Sequence, residues 1–195
     1  MLRIPVIPKR APQSFNIRDA QQLMRKLTVE ISQFIESNSS SALSGYLALN
    51  IAMTAWHMVD WVSADMNAAQ CKLTTQYLEW PVPYSKKTRD ELAKAVTKKC
   101  EALQTCRVIA TAGKHAVVNC RPDPSLATRF EIVRPNPNEA NLPGEGLSYV
   151  WVIERDGKEY LAEEVFKKAH RFWEDLLSRL GIIEDPVNGR GRRGW

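Results

Sequence analysis

A chain of 195 residues fits one domain and is long enough to bury roughly 70% of its unfolded surface. With 44% hydrophobic and 25% charged residues it is not a disordered chain, and nine Gly and eleven Pro exclude collagen-like or low-complexity architecture. Net charge is +5, and residues 81–127 alone carry nine basic and four acidic side chains. That balance permits a nucleic-acid or phosphate partner without demanding one.

Residues 1–15 read as an extended arm, because Pro5, Pro8 and Pro12 exclude a helix interior. The same prolines interrupt any apolar run of signal-peptide length, and Asn50, His57 and Asp60 break the longest apolar stretch. A cytoplasmic protein with no membrane partner and with reduced thiols is therefore expected. Cys71, Cys100, Cys106 and Cys120 show no C-x-x-C spacing, so buried free thiols are expected rather than a metal site.

Asn16 is placed to cap a first helix, with Asp19 in its first turn, and Leu23, Leu27, Ile31, Phe34 and Ile35 recur at helical spacing to about Ser37. A second helix is expected over about Ala42–Asp65, with Leu43, Leu47, Met58 and Trp61 sharing a face with Asn50, Thr54 and His57. A short extra turn fits Leu73–Leu78. Thr88 and Glu91 form a capping-box pattern that opens a third helix of nearly 30 residues, striped by Leu92, Val96, Leu103, Cys106, Ala110 and Val117.

The period then changes. Phe130–Val133 and Leu147–Glu154 read as strands, and Asp156-Gly157 is a hairpin-turn signal before a short third strand. The last helix is expected from Ala162 to Leu180, striped by Val165, Ala169, Phe172, Trp173, Leu176 and Leu180, with Gly181 as its stop. The expected fold class is mainly α: a four-helix bundle spanning 16–182, with a small antiparallel sheet at about 128–161 inserted before the last helix. Residues 183–195 read as a flexible basic tail through Arg190, Arg192 and Arg193.

Chemistry concentrates on the second and third helices. Asn50, Thr54 and His57 make a polar line within an apolar stripe, and each needs a partner if buried. Asp60 lies three residues after His57, within reach of its ring on a helix. This is either a buried acid–base cluster or a satisfied core histidine packed by Trp56 and Trp61. On the third helix Arg107, Thr111, Lys114 and His115 fall within roughly a quarter of the circumference. A guanidinium, a hydroxyl, an ammonium and an imidazole together suit a phosphate, with Arg stabilising developing charge and His moving a proton. The plainer alternative is a polar helix edge with Arg107 paired to a neighbouring acid. His170 reads as a boundary residue. Three His in the chain make a metal hydrolase sparse, and no cofactor is expected.

A helical bundle with an Arg and a downstream His on one late helix resembles the HEPN superfamily. Its ribonuclease members carry an Arg, four to six residues, then a His; here seven residues separate Arg107 from His115, and Val108 follows the Arg. The resemblance implies a dimeric bundle and metal-independent RNA cleavage, with Arg107 and His115 as the catalytic pair. Lys114, Thr111, His57, Asp60 and Asn50 would support the site or hold phosphate. The competing expectation is a non-catalytic helical interaction module for a protein partner, with the polar residues bonded to one another inside it.

Overall fold

The computed structural model of the chain describes residues 17–37, 41–79, 88–114, 125–133 and 148–184. The arm at 1–15, Asn16, Val117, Cys120, His115 and the Arg cluster of the tail lie outside the described residues. The fold is mainly helical with a small three-stranded antiparallel sheet. In chain order the elements are α1 (Ala20–Glu36), α2 (Ser41–Asp65), α3 (Ala68–Tyr77), α4 (Thr88–Lys99), α5 (Glu101–Lys114), β1 (Leu126–Val133), β2 (Ser148–Arg155), β3 (Lys158–Leu161) and α6 (Ala162–Arg179).

Asp19, expected inside the first turn, is the residue that caps α1: its carboxylate accepts the backbone N–H of Gln22 at 2.8 Å. The N–H of Ala20 is satisfied by Asp65 at 2.7 Å, which ties the start of α1 to the end of α2. The expected turn near Leu73 is a full helix, α3, opened by a reciprocal capping box between Asn67 and Gln70.

The long third helix of the sequence reading is two helices. The Cys100 N–H closes α4 on Val96 at 2.8 Å, while the Cys100 carbonyl accepts from Leu103 and Gln104 and so starts α5. No Gly or Pro marks that break.

The sheet runs in the order β1–β2–β3, with Leu126 opposite Arg155, Val133 opposite Ser148, and Arg155 opposite Lys158. Asp156 and Gly157 both have positive φ, 52° and 72°, the geometry of a type I′ hairpin turn matched to strand twist. One face of the sheet carries Arg129, ion-paired to Glu131, Glu154 and Glu159 at 2.5–3.0 Å. The other carries Trp151 and Ile153 toward the helices. The Trp151 indole donates to Ser44 of α2 at 2.9 Å and packs against the Phe130 ring, tilted by 55° with centroids 5.3 Å apart.

α2 is the central element and packs against α1, α5, α6 and α4. Its buried strip is Ile51, Ala52, Ala55, Met58, Val59 and Val62; of the face predicted through Leu43, Leu47, Met58 and Trp61, Met58 is fully buried and Trp61 partly buried. Leu43 is exposed and Leu47 only partly buried. α6 buries Val165, Ala169, Trp173, Leu176 and Leu180 as predicted, and Phe166 and Leu177 besides, while Phe172 is partly buried. Trp173 is fully enclosed and donates its indole N–H to the Ala55 carbonyl at 2.9 Å. α6 ends at Gly181, φ 64°, where the N–H groups of Gly181 and Ile182 bond the carbonyls of Ser178 and Leu177 at 2.9 Å. That is a Schellman termination, and it needs the glycine. No helix among the described residues is long and apolar enough to cross a membrane.

Candidate functional site

The polar residues expected to form one line on α2 have three different fates. Thr54 is buried, and its hydroxyl accepts the Lys26 ammonium of α1 at 2.6 Å; Lys26 also pairs with Glu30 at 2.5 Å. Thr54 is therefore a tie between α1 and α2. Asn50 is exposed, and it lies about 10 Å along the helix axis from His57. His57 is only half-buried, so the buried acid–base cluster of the sequence reading is a partly solvated one.

What the structure does bring together is His57, Asp60 and Arg89. His57 Nδ1 lies 3.1 Å from Asp60 Oδ2, the i, i+3 contact expected from the sequence. Arg89, from the first turn of α4, donates its Nε–H to Asp60 Oδ1 at 2.7 Å. Side-chain exposure of 34% for His57 and 38% for Asp60 leaves both reachable from solvent. Burial tends to raise the Asp60 pKa, but the hydrogen bonds from Arg89 and His57 outweigh it and hold the carboxyl below its ordinary 3.8. Asp60 is thus an ionised acceptor at neutral pH, so it is Nδ1 that carries the ring proton. In the neutral form of the ring, Nε2 is then the basic nitrogen. An imidazole oriented in this way by a carboxylate is the arrangement that general-base catalysis uses.

Arg107 lies on the exposed side of α5. Its guanidinium sits over the Trp56 ring of α2, 5.5 Å from the centroid. Among the described residues no carboxylate pairs with it, so the expected ion pair to a neighbouring acid is replaced by a cation–π contact. Leu49 abuts Gly113, and Trp56 abuts Arg107. Seven residues forward along α2 correspond to six residues back along α5, so the two helices run antiparallel, with Arg107 at the level of Trp56 and the adjacent His57. Thr111 spends its hydroxyl proton on the Arg107 carbonyl at 2.8 Å, within its own helix. Lys114 closes α5, with its side chain outside the described residues, as is all of His115.

Two members of this cluster were not legible as such. Arg89 gave no sign of its partner, because the contact to Asp60 depends on how α4 meets α2. Trp56 read as packing mass, and it does pack, but its outer face is also the platform for Arg107. His170 sits at a boundary as expected, its Nε2 2.9 Å from the Thr28 hydroxyl.

The described thiols offer no nucleophile. Burial pushes the pKa values of Cys71, Cys100 and Cys106 up, so each stays protonated near neutral pH. Among the described residues no group of three His, Cys, Asp or Glu is placed to hold a metal ion. Comparison of the chain with protein-family models, with curated proteins and with solved structures finds no match.

Proposed function

We propose that the protein is a HEPN-like, nucleic-acid-acting protein that cleaves RNA without a metal, in the manner of toxin or defence ribonucleases. In this proposal α1, α2, α5 and α6 form the four-helix bundle, and the protein works in the cytoplasm as a homodimer. The observation that carries it is the His57–Asp60–Arg89 cluster on the same stretch of α2 that Arg107 covers from α5.

His57 Nε2 takes the proton from a ribose 2′-hydroxyl, whose oxygen then attacks the adjacent phosphorus. Asp60 holds the ring's orientation and stabilises the imidazolium that forms. Arg89 keeps Asp60 ionised and fixed. Arg107 faces the charge that builds on the phosphoryl oxygens. His115 returns a proton to the departing 5′-oxygen, and Lys114 holds a neighbouring phosphate. The bond formed is 2′-O–P and the bond broken is P–O5′, which leaves a cyclic phosphate and a free 5′-hydroxyl.

The test is RNA cleavage in EDTA by wild type beside His57→Ala, Asp60→Asn, Arg107→Ala and His115→Ala. The expected result is cleavage by wild type that falls about 100-fold or more in the His57 and Arg107 variants, the range typical of a lost proton-transfer or charge-stabilising group. The Asp60 variant keeps a weaker residual activity, because the imidazole survives with its orientation loosened. A folded wild type that cleaves no RNA would refute the proposal and favour the non-catalytic interaction module.

A further inference from the structure

We propose that the chain carries a second site, independent of the polar cluster: a half-open apolar pocket that binds a small uncharged molecule with an aromatic or branched-aliphatic body. The pocket has a volume of about 400 Å³ and lies between the N-terminal half of α2, the inner face of the sheet and the start of α6. From Tyr46, on its wall, to His57 is about 16 Å along the axis of α2.

The pocket exists because of residue choice on α2. The positions that face the sheet at three-residue spacing are Ala42, Gly45 and Ala48, and the facing position on α6 is Ala162. At Gly45 the indole of Trp151 comes so near that an added Cβ would stand 3.0 Å from it. On either side of that contact the alanines are too short to reach the sheet.

The walls are fixed. Trp151 is held by its bond to Ser44 and its tilted ring contact with Phe130. Phe166 and Ile153 are fully buried behind it. Such walls do not collapse inward, so the pocket is preformed.

Its chemistry defines the ligand. No Asp, Glu, Lys, Arg or His is among the described lining residues, so nothing there compensates a ligand charge removed from water. The Trp151 indole N–H is already used by Ser44. Among the described lining residues the polar side-chain groups on offer are the Thr128 hydroxyl and the phenol of Tyr46, which is 68% exposed at the mouth. The ligand is therefore neutral, mostly apolar, with at most one or two polar atoms. At this volume it has roughly 15–20 non-hydrogen atoms, the lower end of small-molecule sites. A partner's helix or strand is too large to enter.

The probe is N-phenyl-1-naphthylamine, a neutral fluorophore of about that size, titrated into the full chain. Its sulfonated analogue, 8-anilino-1-naphthalenesulfonate, serves as the charged comparison. Wild type is expected to bind the neutral probe saturably, one per chain, and the sulfonate at least tenfold more weakly. Ala48→Leu fills the pocket from α2 and Thr128→Leu fills it from β1; each is expected to weaken the neutral probe at least tenfold. Ala64→Leu, at an exposed position near the other end of α2, is expected to leave binding unchanged. Circular dichroism identifies which filling variants are folded, and the sheet-side variant serves if the helix-side one is not. No saturable binding by wild type, or equal binding by folded filling variants, overturns the site. Equal affinity for the sulfonate overturns its assignment to neutral ligands.

Discussion

Replacing Trp173 by Phe tests the contact that fastens α6 to the middle of α2. Trp173 is fully buried, and its indole N–H bonds the carbonyl of Ala55, one residue before Trp56 and two before His57. Phe keeps an aromatic ring but is smaller by roughly 40 Å³, which at about 24 cal/mol per Å³ of cavity costs about 1 kcal/mol. The lost hydrogen bond adds about 1 kcal/mol. It adds no more, because Ala55 lies inside α2 and its carbonyl keeps its helical partner. The expected loss is therefore about 2 kcal/mol. With a urea m-value of about 2 kcal/mol per M, the unfolding midpoint falls by roughly 1 M, read by far-ultraviolet circular dichroism so that the missing indole does not bias the signal. Trp173→Ala, which removes the ring as well, is expected to cost about 3–5 kcal/mol. A Phe variant within about 0.5 kcal/mol of wild type, at unchanged m, would refute the claim that this indole is a principal tie between the two helices.

Three further perturbations follow from single features. Burial, only partly opposed by Glu174, holds the His170 pKa below its ordinary 6.5, so the unfolded chain takes up a proton that the folded chain resists. Stability is expected to fall as pH drops below about 6.5, with a flatter profile in His170→Gln; identical urea midpoints across pH 5.5–7.5 in wild type would contradict this. Gly157→Ala and Gly181→Ala each place a Cβ at positive φ where nothing stands within 4 Å, so each should cost about 1 kcal/mol through the backbone alone. Thermal unfolding of the two variants checks this, and an unchanged or raised melting temperature would show that neither turn is strained by a side chain.

The parts of the fold that were legible are those in which a residue acts on its own neighbourhood. Gly181 ends α6 because only a glycine turns left-handed there cheaply, and Asp156-Gly157 makes the hairpin for the same reason. The α6 stripe was readable because that helix has one wet face and one dry face. The His57–Asp60 contact was readable because three residues on a helix are neighbours whatever surrounds them. The break at Cys100 left no local sign, and a well-striped segment was read straight through it. Arg89 on Asp60 and Arg107 on Trp56 were hidden for a related reason: each joins helices whose relative placement no spacing rule encodes.

α2 shows most clearly why the rest could not be read. A helix that packs against one layer has a single apolar stripe, and periodicity finds it. α2 instead meets α1, α5 and α6, with the sheet bonded to its first turns through Ser44 and Trp151, so its apolar residues run nearly all the way round. A stripe drawn through such a helix follows only part of its buried surface: the one through Leu43, Leu47, Met58 and Trp61 catches the fully buried Met58 but begins at the exposed Leu43. The same crowding leaves α2 little open surface. Toward its C-terminal half that surface is where His57 and Asp60 emerge; toward its N-terminal half, the alanines on either side of Gly45 fall short of the sheet and a pocket results. Both candidate sites therefore lie where the packing of one central helix stops being complete, and packing is the property that residue spacing along a single chain describes least well.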